Sequence, residues 1–206
     1  MFIQCLLAAL LIINLSLEKT RKSENMTANC ASISCNFDVC QNCKHSCCQD
    51  AKPPLTKERM TIITEYLRNH EQAASNVFAR SGYSFPSVDS DEFCVFYDKT
   101  TKVCQVHKAK PETCRAGPIT FDINRATRKV EWFLKTRELC PFAGKLLNDP
   151  KKLADHLAFA KEEIMRLICG LDPEALETIL ARDEPQTFKI GEDFLPKSVL
   201  TKFSFE

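Results

Sequence analysis

Glycine and tryptophan are scarce in this chain, with five of the first and one of the second in 206 residues. So few glycines leave little material for turns that cradle phosphates or dinucleotides. No phosphate loop, dinucleotide fingerprint or nucleophile elbow is present in the sequence. An excess of charge of one sign is also missing. Lys+Arg number 28 and Asp+Glu 27, for a net charge of +1. No long basic run stands out, so no overall field recruits nucleic acid, and no nucleic-acid partner is expected. No segment repeats at a fixed period or falls to low complexity. The composition is otherwise 44% apolar and 27% charged. That is the balance of a folded chain, long enough for one ordinary domain with a hydrophobic core.

What is abundant is cysteine. There are twelve, at positions 5, 30, 35, 40, 43, 47, 48, 94, 104, 114, 140 and 169. In an oxidising compartment such a set is a disulfide framework, and in the cytosol clustered thiols bind metal. The N-terminus bears on the compartment. Residues 2–17 are almost wholly apolar. They are slightly short for a membrane span of about 20 residues, and they lack the preceding positive charge and small-residue cleavage site of a secretory signal. Lys19, Arg21 and Lys22 follow the segment, so if it inserts, the rest of the chain faces the cytoplasm. Residues 1–25 are therefore an apolar leader, or a mis-assigned start with Met26 as the true one. Either way the chain is expected in the cytoplasm, with membrane contact only through residues 2–17. Asn25-Met26-Thr27 is a glycosylation sequon that matters only on export.

The remaining pattern predicts a mixed α+β domain without alternating βαβ units. Residues 26–34 read as a linker, 35–145 as a cysteine-rich metal-binding domain with short hairpins, and 146–206 as a C-terminal helical part packed on it. Pro53-Pro54 interrupts regular structure, and Thr56 can cap a helix whose Met60, Ile63 and Leu67 fall at helical spacing, with the pattern running on through Val77-Phe78. Gly82 to Asp91 reads as a loop. Glu92–Tyr97 and Val103–His107 read as one hairpin, and Ile119–Ile123 and Lys129–Leu134 as another. Pro111 to Arg115 is a tight turn or a single helical turn. Asp149-Pro150 and Asp172-Pro173 are helix starts. The first opens an apolar stripe of Leu153, Leu157, Ala160, Ile164 and Leu167-Ile168 that Gly170 ends. The tail after Pro185 reads as irregular.

The chemistry is carried by Cys40-x2-Cys43-x3-Cys47-Cys48. A C-x2-C pair lets two thiolates converge on one soft metal or cluster from a single turn. Cys35-x4-Cys40-x2-Cys43 has the spacing of a plant-type ferredoxin ligand loop. Consecutive side chains point in different directions, so one of Cys47 and Cys48 serves this site while the other faces a second site or packs as a buried thiol. Downstream, Cys94 and Cys104 sit one on each arm of the predicted hairpin, Cys114 follows in a turn, and Cys140 lies further on. The candidate ligands are thus Cys35, Cys40, Cys43, Cys47, Cys48, Cys94, Cys104, Cys114 and Cys140. No catalytic residue is assigned.

The order of these blocks resembles the YkgJ family of cysteine-cluster proteins, or CxxCxxCC domain, which includes flagellin lysine N-methylases. The carriers are Cys40, Cys43, Cys47 and Cys48, then Cys94-Val95-Phe96, then Cys104-Gln105-Val106-His107, then Pro111-Glu112-Thr113-Cys114-Arg115. They cover roughly residues 35–121. This chain departs from the pattern with three residues before the paired cysteines, His107 in place of tyrosine, Lys110 in place of arginine, and Gly117-Pro118 in place of an aromatic–proline pair. The resemblance implies a zinc- or iron-chelating protein, and methyl transfer for only a minority of members.

The expectation is a cytoplasmic protein with an iron–sulfur cluster, of the 4Fe-4S type, in a redox or accessory role with a protein or redox partner. The alternatives are a zinc-binding structural or interaction module, or a protein lysine N-methylase. His45 and His107 are expected to face solvent or support ligands from behind, given the surplus of thiols. Arg115 offsets thiolate charge or lies on the surface. His70 and His156 are expected on the surface, and Cys169 in the core.

Overall fold

The computed structural model describes residues 39–40, 42–43, 47–182 and 186–203, all within the compact unit Asn36–Glu206. The apolar leader, the linker, Cys5, Cys30, Cys35 and His45 lie outside the described residues.

Helix α1 (Lys57–Asn69) starts where Thr56 predicts, with the Thr56 hydroxyl oxygen accepting the Arg59 N–H at 3.0 Å. Ile63 and Leu67 turn inward as their spacing requires. The helix does not run on to Val77-Phe78. Glu71 and Asn76 adopt φ of 55° and 59°, a left-handed conformation in which a right-handed helix cannot continue. Phe78 instead begins strand β1 (Phe78–Ser81), which pairs antiparallel with β2 (Tyr83–Pro86). The supposed loop from Gly82 therefore contains a strand. Gly82 makes the reversal at φ 74°, a conformation that costs glycine little. Tyr83 and Phe85 then alternate into the core.

The next hairpin, β3 (Tyr97–Asp98) with β4 (Val103–Cys104), is shorter than the β-prone stretches but forms where expected. Helix α2 (Glu112–Ala116) follows as the anticipated single turn. Strands β5 (Ile119–Asn124) and β6 (Lys129–Lys135) make the second hairpin, with Phe121 opposite Trp132. Helix α3 (Pro141–Leu147) was not expected, although Pro141 is a proline at the first helical position. Helix α4 (Pro150–Gly170) is capped by the Asp149 carboxylate, which accepts the Lys152 N–H at 3.1 Å. It is followed by α5 (Pro173–Leu180).

The tail is not irregular. Strand β7 (Thr187–Phe194) joins the edge of β6 to give the antiparallel order β5-β6-β7, and α6 (Lys197–Lys202) closes the chain. Most β7 side chains are exposed, so the strand carries little of the apolar alternation that reveals a strand in sequence. Its partner β6 defines it. The result is the expected α+β class. Among the described residues no helix is long and apolar enough to cross a membrane.

The main core packs the inner face of β5 and β6 (Ile119, Phe121, Val130, Trp132, Leu134) against Ile164, Leu167 and Ile168 of α4 and Leu176 of α5. A second cluster gathers Leu55, Ile63, Leu67, Phe96 and Val106, and Cys94 and Cys104 pack against it. Where α1 meets the end of α4, a side chain at Gly170 would lie 2.6 Å from the Thr56 methyl. Only glycine fits that approach.

Between the two clusters lies a buried ion-pair network. The fully buried Glu163 of α4 accepts from Arg59 at 2.8 Å and from Arg166 at 2.6 Å. The Arg115 Nε lies 3.0 Å from the same carboxylate. Arg59 also sits 3.5 Å from Glu112, whose carboxylate accepts the Thr56 hydroxyl at 2.7 Å. Burial pushes the Glu112 carboxyl up, against the pull of Arg59 and the Thr56 hydrogen bond. Arg115 is thus neither on the surface nor committed to the thiols. It ties the Cys114 turn to α4 and stacks over Phe159 at 5.1 Å.

Two other expectations are overturned. His156 is 2% exposed. Its Nε2 lies 3.1 Å and 3.0 Å from the carbonyls of Ala116 and Gly117, so the proton sits on Nε2 and the ring closes the end of α2. Cys169 is exposed, because the apolar stripe of α4 reaches only its neighbours Leu167 and Ile168. His70 is exposed as expected.

Removing Glu163 leaves Arg115 buried without its counter-charge and Arg59 with only the more distant Glu112. Glu163→Ala should therefore lower unfolding free energy by about 3–5 kcal/mol in urea titrations. His156 is held below the ordinary histidine value, first by burial, against the two carbonyls. The unfolded chain then takes up the proton first as pH falls, and stability is lost below about pH 6.5. Between pH 7 and 5 the unfolding midpoint of His156→Gln should fall less than that of the wild type.

Candidate metal centre

The thiols arrive from four places. Cys40 and Cys43 share one turn, in which the Cys43 N–H donates to the Cys40 carbonyl at 3.2 Å. Residues 48–50 run antiparallel to 92–94. The Cys94 N–H donates to Cys48 O at 2.8 Å, the Asp50 N–H to Glu92 O at 3.0 Å, and Gln49 bridges Phe93. That register puts Cys48 directly opposite Cys94, on the same face of the ladder.

Cys94 and Cys104 occupy matching turns. The Tyr97 N–H donates to Cys94 O at 2.8 Å, and the His107 N–H to Cys104 O at 3.1 Å. In each turn the amide two residues on, Phe96 or Val106, hydrogen-bonds the cysteine sulfur and favours its thiolate. The β3–β4 pairing sets Tyr97 against Cys104 and so brings the two turns together. Cys114 rides on α2. Cys140 is the residue before α3, where the amides of Phe142 and Ala143 act on its sulfur.

Cys47 is the hub. Its charge acts on Cys40, Cys48, Cys94, Cys104, Cys114 and Cys140. The side chain is solvent-accessible, although protein crowds it on most sides. A hydrogen bond from the Cys48 thiol, reinforced by Lys110 and Lys135, outweighs burial and lowers the Cys47 thiol to about 6. Cys48 moves the opposite way, because it keeps the shared proton and is partly buried. Burial raises Cys94 to about 11 and also raises Cys40, Cys104, Cys114 and Cys140. Lys110 opposes that rise at Cys40, Cys104 and Cys114. His107 is half-buried and is pushed down to about 4, first by burial and then by Lys110 and Arg115.

The backbone thus brings together Cys40, Cys43, Cys47, Cys48, Cys94, Cys104, Cys114 and Cys140, and Cys35 lies outside the described residues. Among the described residues no three such side chains stand close enough to hold an ion as they are oriented. The donor set nevertheless fits zinc or iron–sulfur chemistry, with soft thiols, amide N–H groups aimed at sulfur, and nearby cations to offset thiolate charge. Sequence reasoning missed Lys135 and the helix start at Cys140. Lys135 sits on β6, 87 positions from Cys48, so no sequence signal links it to the cluster. The Cys140-Pro141 step could have revealed the helix start.

In metal-free protein, iodoacetamide at pH 7 should modify Cys47 before the other seven thiols. Its rate should fall as pH drops through about 6, as followed by peptide mass mapping.

The chain is similar over 119 residues to the uncharacterised protein MJ0661 of Methanocaldococcus jannaschii, at 29% identity. The match takes in 55% of this chain and 62% of that protein, so less than two thirds of the relative is spanned. No solved structure matches. A family profile described as "CxxCxxCC: Putative zinc- or iron-chelating domain" matches residues 39–141, half of the chain. That span begins just before Cys40 and ends just after Cys140, enclosing all eight gathered thiols, and the chain belongs to this CxxCxxCC family.

Proposed function

We propose that this protein carries an iron–sulfur cluster of the 4Fe-4S type and serves as a redox or accessory protein to a protein partner in the cytoplasm. The observation that supports the reading is the gathering of eight thiols around Cys47 from the first cysteine block, the β3–β4 hairpin, α2 and the start of α3. One structural zinc takes four ligands, so a surplus of thiols favours cluster chemistry. None of the described cysteines is in a disulfide, as a reducing compartment requires.

When bound, such a cluster supplies one-electron transfer. The chain's own contribution is to hold and tune it. Backbone amides at Phe96 and Val106 stabilise thiolates, Lys110 and Lys135 offset their charge, and Phe96 and Val106 pack an apolar floor behind them. Cys40 and Cys47 are exposed, so a redox partner would approach on their side.

Anaerobic purification followed by an absorption spectrum and metal analysis tests this. The expected result is brown protein with a broad band near 400 nm, roughly where thiolate-to-iron charge transfer absorbs, together with bound iron and sulfide. Cys43→Ser and Cys114→Ser should each lower the bound iron, and Cys169→Ser should leave it unchanged. Colourless protein with stoichiometric zinc would overturn the cluster reading in favour of a zinc-held module.

A further inference from the structure

Helix α2, which carries Cys114, is five residues long. A helix that short does not hold itself together in water, so contacts from outside decide where Cys114 points. Its buried residues are Glu112, Arg115 and Ala116. Successive helical residues lie about 100° apart around the axis, so these three share one side and Cys114 falls on the opposite one. Burying that side fixes the rotation of the turn, and the rotation fixes the direction of the thiol.

Arg115 reaches furthest of the three. Its Nε lies 3.0 Å from the Glu163 carboxylate of α4. Its Nη1 donates to the Lys108 carbonyl at 3.1 Å, and its guanidinium lies over the Phe159 ring at 5.1 Å. Lys108 stands in the stretch that leaves the Cys104 turn, where the His107 N–H donates to Cys104 O and the Ala109 N–H to Val106 O. One planar group therefore touches the segment leaving Cys104 and the helix α4, from a backbone position next to Cys114.

We propose that Arg115 is a positioning residue for metal binding, which sets the direction of Cys114 and its separation from Cys104 by the shape of its guanidinium and not by its charge. The inference rests on the reading that Cys104 and Cys114 chelate zinc or iron, and adds what holds them in place to do so. Lysine keeps the positive charge. It has no plane to lie on Phe159 and no fork to reach a carboxylate and a carbonyl together. Arg115→Lys is therefore a disruptive change at this position, although it conserves charge.

The test is a Zn(II) competition titration of the full chain, reduced and stripped of metal under anaerobic conditions. N-ethylmaleimide labelling and peptide mass mapping then report which thiols the bound zinc covers. The wild type should protect Cys104 and Cys114. Arg115→Lys should lower zinc affinity by about 10–100-fold, the usual cost of losing a group that orients a ligand, and should leave Cys114 labelled at saturating zinc. Leu176→Ala, a buried change in α5, is the control for stability. It should keep the wild-type affinity and labelling pattern even where its urea midpoint falls as far as that of Arg115→Lys. If Arg115→Lys loses the wild-type circular dichroism, Phe159→Leu decides on the same readings, because it removes the ring and leaves every charge in place. Wild-type affinity and protection in Arg115→Lys overturn the proposal and leave chelation standing. So does an equal loss of affinity in Leu176→Ala, which would make the effect one of stability alone. A wild type that binds no zinc, or binds it with Cys104 and Cys114 still labelled, overturns the chelation reading for these thiols and this inference with it.

Discussion

The ion-pair network at Glu163 is the constraint on which the rest of the structure leans. A carboxylate at 0% exposure is tolerable because Arg166 of its own helix and, from outside that helix, Arg59 and Arg115 bring their charges to it. Those two arginines come from α1 and α2, so one side chain fixes three helices relative to one another. Arg115 is the neighbour of Cys114. The position of the deepest thiol turn is therefore set by electrostatics in the core, not by the thiols. His156 finishes the job from the same helix as Glu163 by closing the carbonyl end of α2.

With α2 held in this way, the cysteine region is a surface built onto a rigid frame. The apolar cluster of Leu55, Ile63, Leu67, Phe96 and Val106 backs the two cysteine turns, and the residues of those turns that point at sulfur are backbone amides. Backbone donors do not rotate away, so their effect on the thiolates persists whatever the rotamers do. Opposing them is the burial that raises most of these thiols. The balance tips only at Cys47, where Cys48, Lys110 and Lys135 act together. A soft metal, which binds thiolates and displaces their protons, offsets the cost of burying charged sulfur throughout the region. Folding and metal binding are then linked through the same residues.

Much of this organisation is legible along the chain because its signals are local. Thr56, Asp149-Pro150 and Asp172-Pro173 announce helices by capping chemistry that acts within one turn. The alternation in β5 and β6 shows a half-buried hairpin. The cysteine spacings show which thiols matter. The failures are equally consistent. The continuation of α1, the loop at Gly82 and the irregular tail each misjudge a segment whose conformation is imposed by a partner or by a left-handed residue. His156 and Arg115 look like surface residues because a polar side chain in sequence carries no sign of the carbonyl or carboxylate that will meet it.

Along the chain alone one can read the cysteine spacing of a chelating domain, the α+β class and the likeness to the CxxCxxCC family. These follow from residue identity and short-range spacing, which need no knowledge of distant contacts. Only the folded chain sets Cys48 opposite Cys94 through a backbone hydrogen bond, and lets α4 anchor the Cys114 turn through a buried charge. Those outcomes depend on strand register and on the packing of segments dozens of residues apart. Their energies arise only when the chain has folded enough to exclude water from between them.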